Sequence, residues 1–235
     1  MSRKTQNPRT QSSPTHSDDE NEESTDERVK EILQSVLCCH NRKGGLKEPE
    51  IKKILAKDGL LISSKYFEEI LGVKVEKDGD RFIVHNTVKL SHRSKNILND
   101  AKKGLLYIVL LFIYMSKNPV VKTDKIKESS LWDFLSSLGV SMDKHHPVFG
   151  DPTKLIAPSK SSDFVAHGWL SFEKVSDRDT EEIYYDWGPR AHIVINTTEM
   201  LKKYCEITGD KPEDWKEHHR LNQLKMKKNE AQTSS

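Results

Sequence analysis

Val73-Lys-Val-Glu-Lys-Asp78-Gly79-Asp-Arg-Phe82-Ile-Val84 decides how the first half of the chain is read. Val73 and Val75 alternate with charged residues, Asp78-Gly79 is a strong hairpin-turn dipeptide, and Phe82 and Val84 resume the alternation on the return. Apolar spacing of two lays one face of a ribbon on a core. Upstream the spacing is helical. Ser24 and Glu27 form a capping-box pair, and Val29, Ile32, Leu33, Val36 and Leu37 then share one helix face up to Gly44-Gly45. Pro49 opens a second short helix through Ile51, Ile54 and Leu55, which Gly59 stops. Ser64 caps a third with Phe67, Ile70 and Leu71, ended by Gly72. Three short helices followed by a twisted hairpin describe a winged helix over 25–90. Its predicted core is Leu33, Val36, Leu55, Phe67, Leu71, Val75, Phe82 and Val84.

The same order recurs downstream. A polar connector at 91–96 leads into a long helix from about Ile97 to Met115, broken by Asn118-Pro119. Thr123 caps a second helical region holding Ile126, Leu131, Trp132, Phe134, Leu135 and Leu138, which Gly139 closes. His145, His146, Pro147, Phe149 and Gly150 form a loop. A third helical region runs from Pro152 through Leu155, Ile156, Phe164 and Val165, divided at Pro158. Trp169, Leu170 and Phe172 then pair across 176–179 with Ile183, Tyr184 and Tyr185 as a second wing. Asn196 and Glu199 open one added helix, with Leu201, Tyr204 and Cys205 facing inward. The pattern predicts an α+β, mostly helical fold of two tandem winged-helix units, at 25–90 and 97–208. A disordered tail is expected at 1–24 and a second, polar one at 209–235.

Composition narrows the function. The 235 residues carry a formal charge of only +2 with pI near 8.3, below the roughly 9 that marks a strongly basic nucleic-acid binder. The charge is segregated, with an acidic run at Asp18, Asp19, Glu20, Glu22 and Glu23 and a basic one at Lys225, Lys227 and Lys228. Three cysteines, two of them adjacent, do not make a disulfide framework, so a reducing compartment is expected. The longest apolar run, Leu105 to Met115, is far short of the roughly 20 residues of a membrane span. With no secretory leader at the start, the chain reads as soluble and intracellular.

Catalysis finds little support. Cys38, Cys39 and His40 are adjacent on a helix and point apart, so they cannot make a nucleophile–base pair. All three cysteines read as partly buried structural thiols. The pairs His145-His146 and His218-His219 lack the ligand spacing of a zinc site. The aromatics fall on core-facing periods. Neither a catalytic residue, a metal nor a cofactor is therefore expected. Duplex DNA is the one chemical ligand worth weighing. In the first unit Glu68 and Glu69 on the third helix would repel phosphate. The second unit is more basic, with Lys117, Lys122, Lys125 and Lys127 and, in its third helical region, Lys154 and Lys160. These lysines suit sequence-blind phosphate contact, and suit equally an ordinary solvated face.

Four blocks carry a family resemblance. Gly104-Leu-Leu-Tyr-Ile-Val-Leu110, Leu131-Trp-Asp-Phe134-Leu with Leu138-Gly139, His146-Pro-Val-Phe-Gly-Asp-Pro-Thr-Lys-Leu155 and Ile183-Tyr-Tyr-Asp-Trp-Gly-Pro-Arg190 keep the order and spacing of the MAGE homology domain. The ending Asp210-Lys-Pro-Glu-Asp-Trp215 is similar to that of the family branch serving the Smc five-six DNA-repair complex. The resemblance implies a non-catalytic, nuclear, chromatin-associated adaptor. It would join a RING-type ubiquitin ligase subunit to a kleisin subunit and touch double-stranded DNA without sequence preference. Ligase docking would fall on Leu33, Val36 and Leu37, where valine replaces one of the family's paired leucines. Kleisin docking would fall near Leu131 and Phe134, and DNA contact on Lys122, Lys125, Lys127, Lys154 and Lys160. A MAGE-type regulator of an unrelated RING ligase and a winged-helix transcription factor are the alternatives.

Overall fold

The computed structural model describes residues 67–69, 72–79, 81–87, 97–117, 125–177 and 180–233, with 34, 38, 46, 47 and 49 besides. In the first unit, β1 (Leu46–Lys47), β2 (Val73–Asp78) and β3 (Arg81–Asn86) form an antiparallel sheet in the order β1-β3-β2. Val75 pairs with Val84 and Asp78 with Arg81, a register that keeps the apolar residues of both strands on one face. Gly79 opens the turn at φ +57°, a left-handed conformation that glycine adopts without a Cβ penalty. Phe67, Phe82 and Val84 are buried, and Val75 is half-buried. The remaining predicted core residues of this unit, Leu33, Val36, Leu55 and Leu71, lie outside the described residues, as do Ser24 and Ser64. Gly72, the predicted stop of the third helix, has φ +59° and its amide donates to the Glu68 carbonyl at 3.2 Å.

The second unit begins with α1 (Ile97–Ser116). Leu105, Leu106, Val109, Leu110 and Ile113 recur every three to four residues, so they share one buried stripe. The strand β4 (Ile126–Lys127) then precedes α2 (Glu128–Ser137). This corrects the reading of Ile126 as helical: it pairs with Tyr185, and Lys127 with Tyr184. Two residues are too few to show an alternation, so the sequence carries no signal for this strand. Thr123, the expected cap, lies outside the described residues.

The third helical region is divided as Pro158 suggests, into α3 (Pro152–Ile156) and α4 (Asp163–Ala166). Asp151 caps α3 by accepting from the Thr153 amide at 3.0 Å. The second wing is β5 (Leu170–Asp177) against β6 (Thr180–Trp187), with Phe172 opposite Tyr185, and the sheet order is β4-β6-β5. A short helix α5 (Pro189–Val194) follows the wing, with Pro189 at its first position. Next comes α6 (Thr197–Thr208), capped by Asn196 as predicted.

Within the stretch expected as a tail at 209–235, the described residues 209–233 depart from the sequence reading. Beyond Gly209 the chain makes a 3₁₀ turn (Pro212–Asp214) and then α7 (Lys216–Thr233), in place of a disordered polar tail. His218 and Asn222, four residues apart and so on one helix face, are only 7% and 3% exposed. The imidazole Nε2–H of His218 donates to the Tyr114 carbonyl at 3.0 Å. The Asn222 amide donates to the Tyr114 hydroxyl and the Thr197 carbonyl. Polar side chains, not apolar ones, thus carry the buried seam.

One cluster from α1, α2, α3, α4, the wing and α6 fills the second unit, with Leu131, Leu135, Ile156, Tyr185 and Met200 at its centre. Two polar pins cross it. The Tyr185 hydroxyl donates to the Ile156 carbonyl at 2.7 Å, and the Trp187 indole N–H donates to the Leu110 carbonyl at 2.9 Å. A buried donor left without such a partner would cost about 1–3 kcal/mol, so these pins fix the wing's position on the helices. Among the described residues no helix is long and apolar enough to cross a membrane.

Candidate partner and nucleic-acid surfaces

The solvent face of the second wing is a lattice of paired charges. Lys125 meets Glu173, Lys127 meets Glu182 at 2.7 Å, and Lys174 meets Glu181 at 2.7 Å, each pair bridging two elements of the sheet region. The Glu182 carboxylate holds the Lys127 ammonium above its ordinary pKa, and Glu173 does the same for Lys125. In turn Lys127, and after it Tyr184, hold Glu182 below the usual carboxylate range. Each lysine therefore remains charged but brings its own counter-ion, and such exposed pairs are screened and loosely held. Lys122 lies outside the described residues.

Lys154 and Lys160 stand differently. Lys154 closes α3 and Lys160 sits in the turn towards α4, both exposed, and neither forms an ion pair among the described residues. They lie in the region that takes the place of the winged helix's third helix, the element that enters a DNA groove in helix-turn-helix relatives. Of the four predicted lysines among the described residues, these two form no ion pair there, although the charge of Lys154 helps to hold the Asp151 carboxyl low after its hydrogen bonds from Thr153.

The apolar surface of the second unit lies where α1 meets α2. Leu131 is 0% exposed and belongs to the core, so its side chain is not available to a partner. Phe134 is half-buried and stacks on Phe112, ring centroids 4.2 Å apart and planes at 7°. One turn from each ring lies an exposed residue, Leu138 at the C-cap of α2 at 51% and Ile108 on α1 at 38%. Ile108, Phe112, Phe134 and Leu138 thus make an apolar strip across two helices. Sequence reasoning finds Phe134 but misses Phe112 and Leu138, because periodicity marks a residue as apolar without saying whether it lies at the centre or the margin of the stripe.

In the first unit Leu33, Val36 and Leu37 lie outside the described residues. Gln34 and Cys38 are both helical and both exposed. This corrects the reading of Cys38 as a partly buried thiol. Cys205 is buried, as expected, and burial pushes its thiol pKa up. Glu68 and Glu69 are exposed, so the third helix presents carboxylates to solvent.

The histidines do local work. His146 Nδ1 accepts from the amides of Val148 and Phe149, and its ring stacks on Phe149, closing the loop before α3. His218 belongs to the α7 seam, not to a free tail. Among the described residues no group of three or more His, Cys, Asp or Glu side chains could hold a metal ion.

Comparison with known proteins agrees with this architecture. Residues 2–198 match the MAGE homology domain. The chain is similar to the human protein named non-structural maintenance of chromosomes element 3 homolog, 30% identical over 201 residues that make up 80% of this chain and 63% of that one. It is also similar to human melanoma-associated antigen F1, 27% identical over 208 residues, covering 82% of this chain and 64% of the relative. The chain thus spans a little under two thirds of the length of both relatives. A chain of a solved structure described as the Nse1-Nse3-Nse4 complex superposes with a TM-score of 0.73 at 24% identity, over 88% of this chain and 100% of that one. The match over most of its length places this chain in the MAGE homology domain family.

Proposed function

We propose that this chain is a non-catalytic subunit of the Smc five-six DNA-repair complex that bridges a RING-type ubiquitin ligase subunit and a kleisin subunit and contacts double-stranded DNA. The observation that carries the reading is the 201-residue similarity to the human element 3 homolog, joined to the superposition on a chain of the Nse1-Nse3-Nse4 complex. The surfaces support a division of labour. The first unit, with exposed carboxylates on its third helix, docks protein: the ligase subunit lies against Leu33, Val36 and Leu37. In the second unit the kleisin lies along the strip of Phe112, Phe134 and Leu138. Lys154 and Lys160 neutralise backbone phosphates there, a contact that reads no bases. The work of such a subunit is in the nucleus, on chromatin.

A second reading is favoured by the nearly equal similarity to melanoma-associated antigen F1: a MAGE-type regulator of an unrelated RING ligase. Tagged expression of the full chain followed by identification of co-purifying proteins separates the two. Recovery of Smc, kleisin and RING subunits together supports the first reading. Recovery of a RING ligase without any Smc-complex subunit overturns it in favour of the second.

A further inference from the structure

We propose that Arg190 is a latch that holds the two winged-helix units in one relative orientation. Its guanidinium leaves the second unit and donates from Nη2 to the Val84 carbonyl in β3 of the first wing, at 2.9 Å. On the way it lies over the Trp169 ring, 5.3 Å from the centroid. The cationic head is thus held between a ring face and a backbone acceptor, the geometry in which a planar guanidinium loses least freedom per hydrogen bond.

The side that launches Arg190 is rigid. The Arg190 amide donates to the Gly168 carbonyl at 2.9 Å, and Pro189 fixes the first residue of α5. A Cβ added at Gly188 would stand 2.2 Å from the Gly168 carbonyl oxygen, so the two chain segments touch backbone to backbone. Gly168 itself has φ +75°, and a Cβ there would stand 3.6 Å from the Arg190 Cβ. These two glycines set where the arginine starts and which way it runs. The receiving side is equally defined. Val84 is buried, and among the described residues β1 covers β3 only at Arg81 and Phe82. Among the described residues, the acceptor that this stretch of β3 turns outward at Val84 is taken by Arg190 of α5.

Burial also holds the His192 imidazole, two residues along α5, below its ordinary pKa. This latch belongs to the chain alone and does not rest on which partners it holds.

Paired spin labels test the latch in the full chain, at Asn86→Cys in the first unit and Lys144→Cys in the second, with Cys38→Ser and Cys39→Ser. The expected distance distribution is narrow with Arg190 and at least twice as broad with Arg190→Ala, while Arg190→Lys, which keeps a donor but loses the planar fork, falls between. A distribution as narrow in a folded Arg190→Ala variant, or already broad with Arg190, would overturn the proposal. Should Arg190→Ala not fold, the guanidinium signals of the unsubstituted chain decide. A latched Arg190 gives two resolved Nη resonances, and a single averaged one would overturn it.

Discussion

His218 and Tyr114 are joined twice. The imidazole Nε2–H donates to the Tyr114 carbonyl at 3.0 Å, and the two rings meet edge to face with centroids 4.9 Å apart. Trp215 packs edge-on against the same imidazole at 6.0 Å, and also against Tyr204 of α6 at 5.0 Å. A segment with few apolar residues is thereby made part of the fold. Its anchor is directional, so its loss is measurable. His218→Ala should remove one buried hydrogen bond and the ring packing, costing about 1–3 kcal/mol. Urea unfolding reads this as a lower midpoint with unchanged slope. An unchanged midpoint would mean that α7 is not docked in solution.

Tyr185 sets an alkaline limit. Burial pushes its hydroxyl far above the ordinary value of 10.0, and the proton is held by the Ile156 carbonyl. A group whose folded pKa is raised contributes stability that is full below the unfolded pKa and is lost as pH rises beyond it. Stability should therefore fall from about pH 10 upward, with Tyr185 contributing about 1.4 kcal/mol per pH unit. Tyr114, also raised by burial, adds to the slope. Tyr185→Phe should cost about 1 kcal/mol near neutral pH and flatten the alkaline fall by one proton. Denaturation midpoints between pH 8 and 11 test both; equal slopes in the two proteins would contradict the assignment.

Duplex affinity should separate the lysines. Lys154→Glu with Lys160→Glu is expected to weaken binding and to reduce the slope of log affinity against log salt by about 2, since each phosphate contact contributes about 0.9. Lys127→Ala with Glu182→Ala removes a matched pair and should leave affinity unchanged. Titrations of a random duplex at several salt concentrations give both results. If the matched-pair deletion also weakened binding, the wing face would be a DNA surface after all.

Leu131 and Leu138, seven residues apart on and just past one helix, should answer differently to substitution. Leu138→Glu alters only the exposed end of the strip, so the thermal midpoint should hold while kleisin affinity falls at least tenfold. Leu131→Ala opens a cavity in the core and should cost about 2–5 kcal/mol. Calorimetry alongside a kleisin pull-down distinguishes them, and kleisin binding unaffected by Leu138→Glu would move the docking site elsewhere.

Much of the fold is legible in the residues. The turn at Gly79, the Asn196 cap, the break at Pro158 and the second wing's pairing all follow from local chemistry that acts over a few positions. What is not legible depends on distant contacts. The strand Ile126–Lys127 exists because β6 offers it a partner, and α7 stays put because Tyr114 and Thr197 offer acceptors 25 to 108 residues away. Its inward residues are polar, so no apolar stripe announces them. The predicted lysines show a similar limit. Lysine charge is visible in the sequence, but the carboxylates facing Lys125 and Lys127 come from other strands and are visible only in the folded sheet.

The central claim is that one chain holds two partners at once on separate units. Size-exclusion chromatography with light scattering, on the full chain mixed with purified kleisin and RING subunits, measures this directly. A single species containing one copy of each is the predicted result. Displacement of one partner by the other, or failure of either to bind the folded chain, would contradict it.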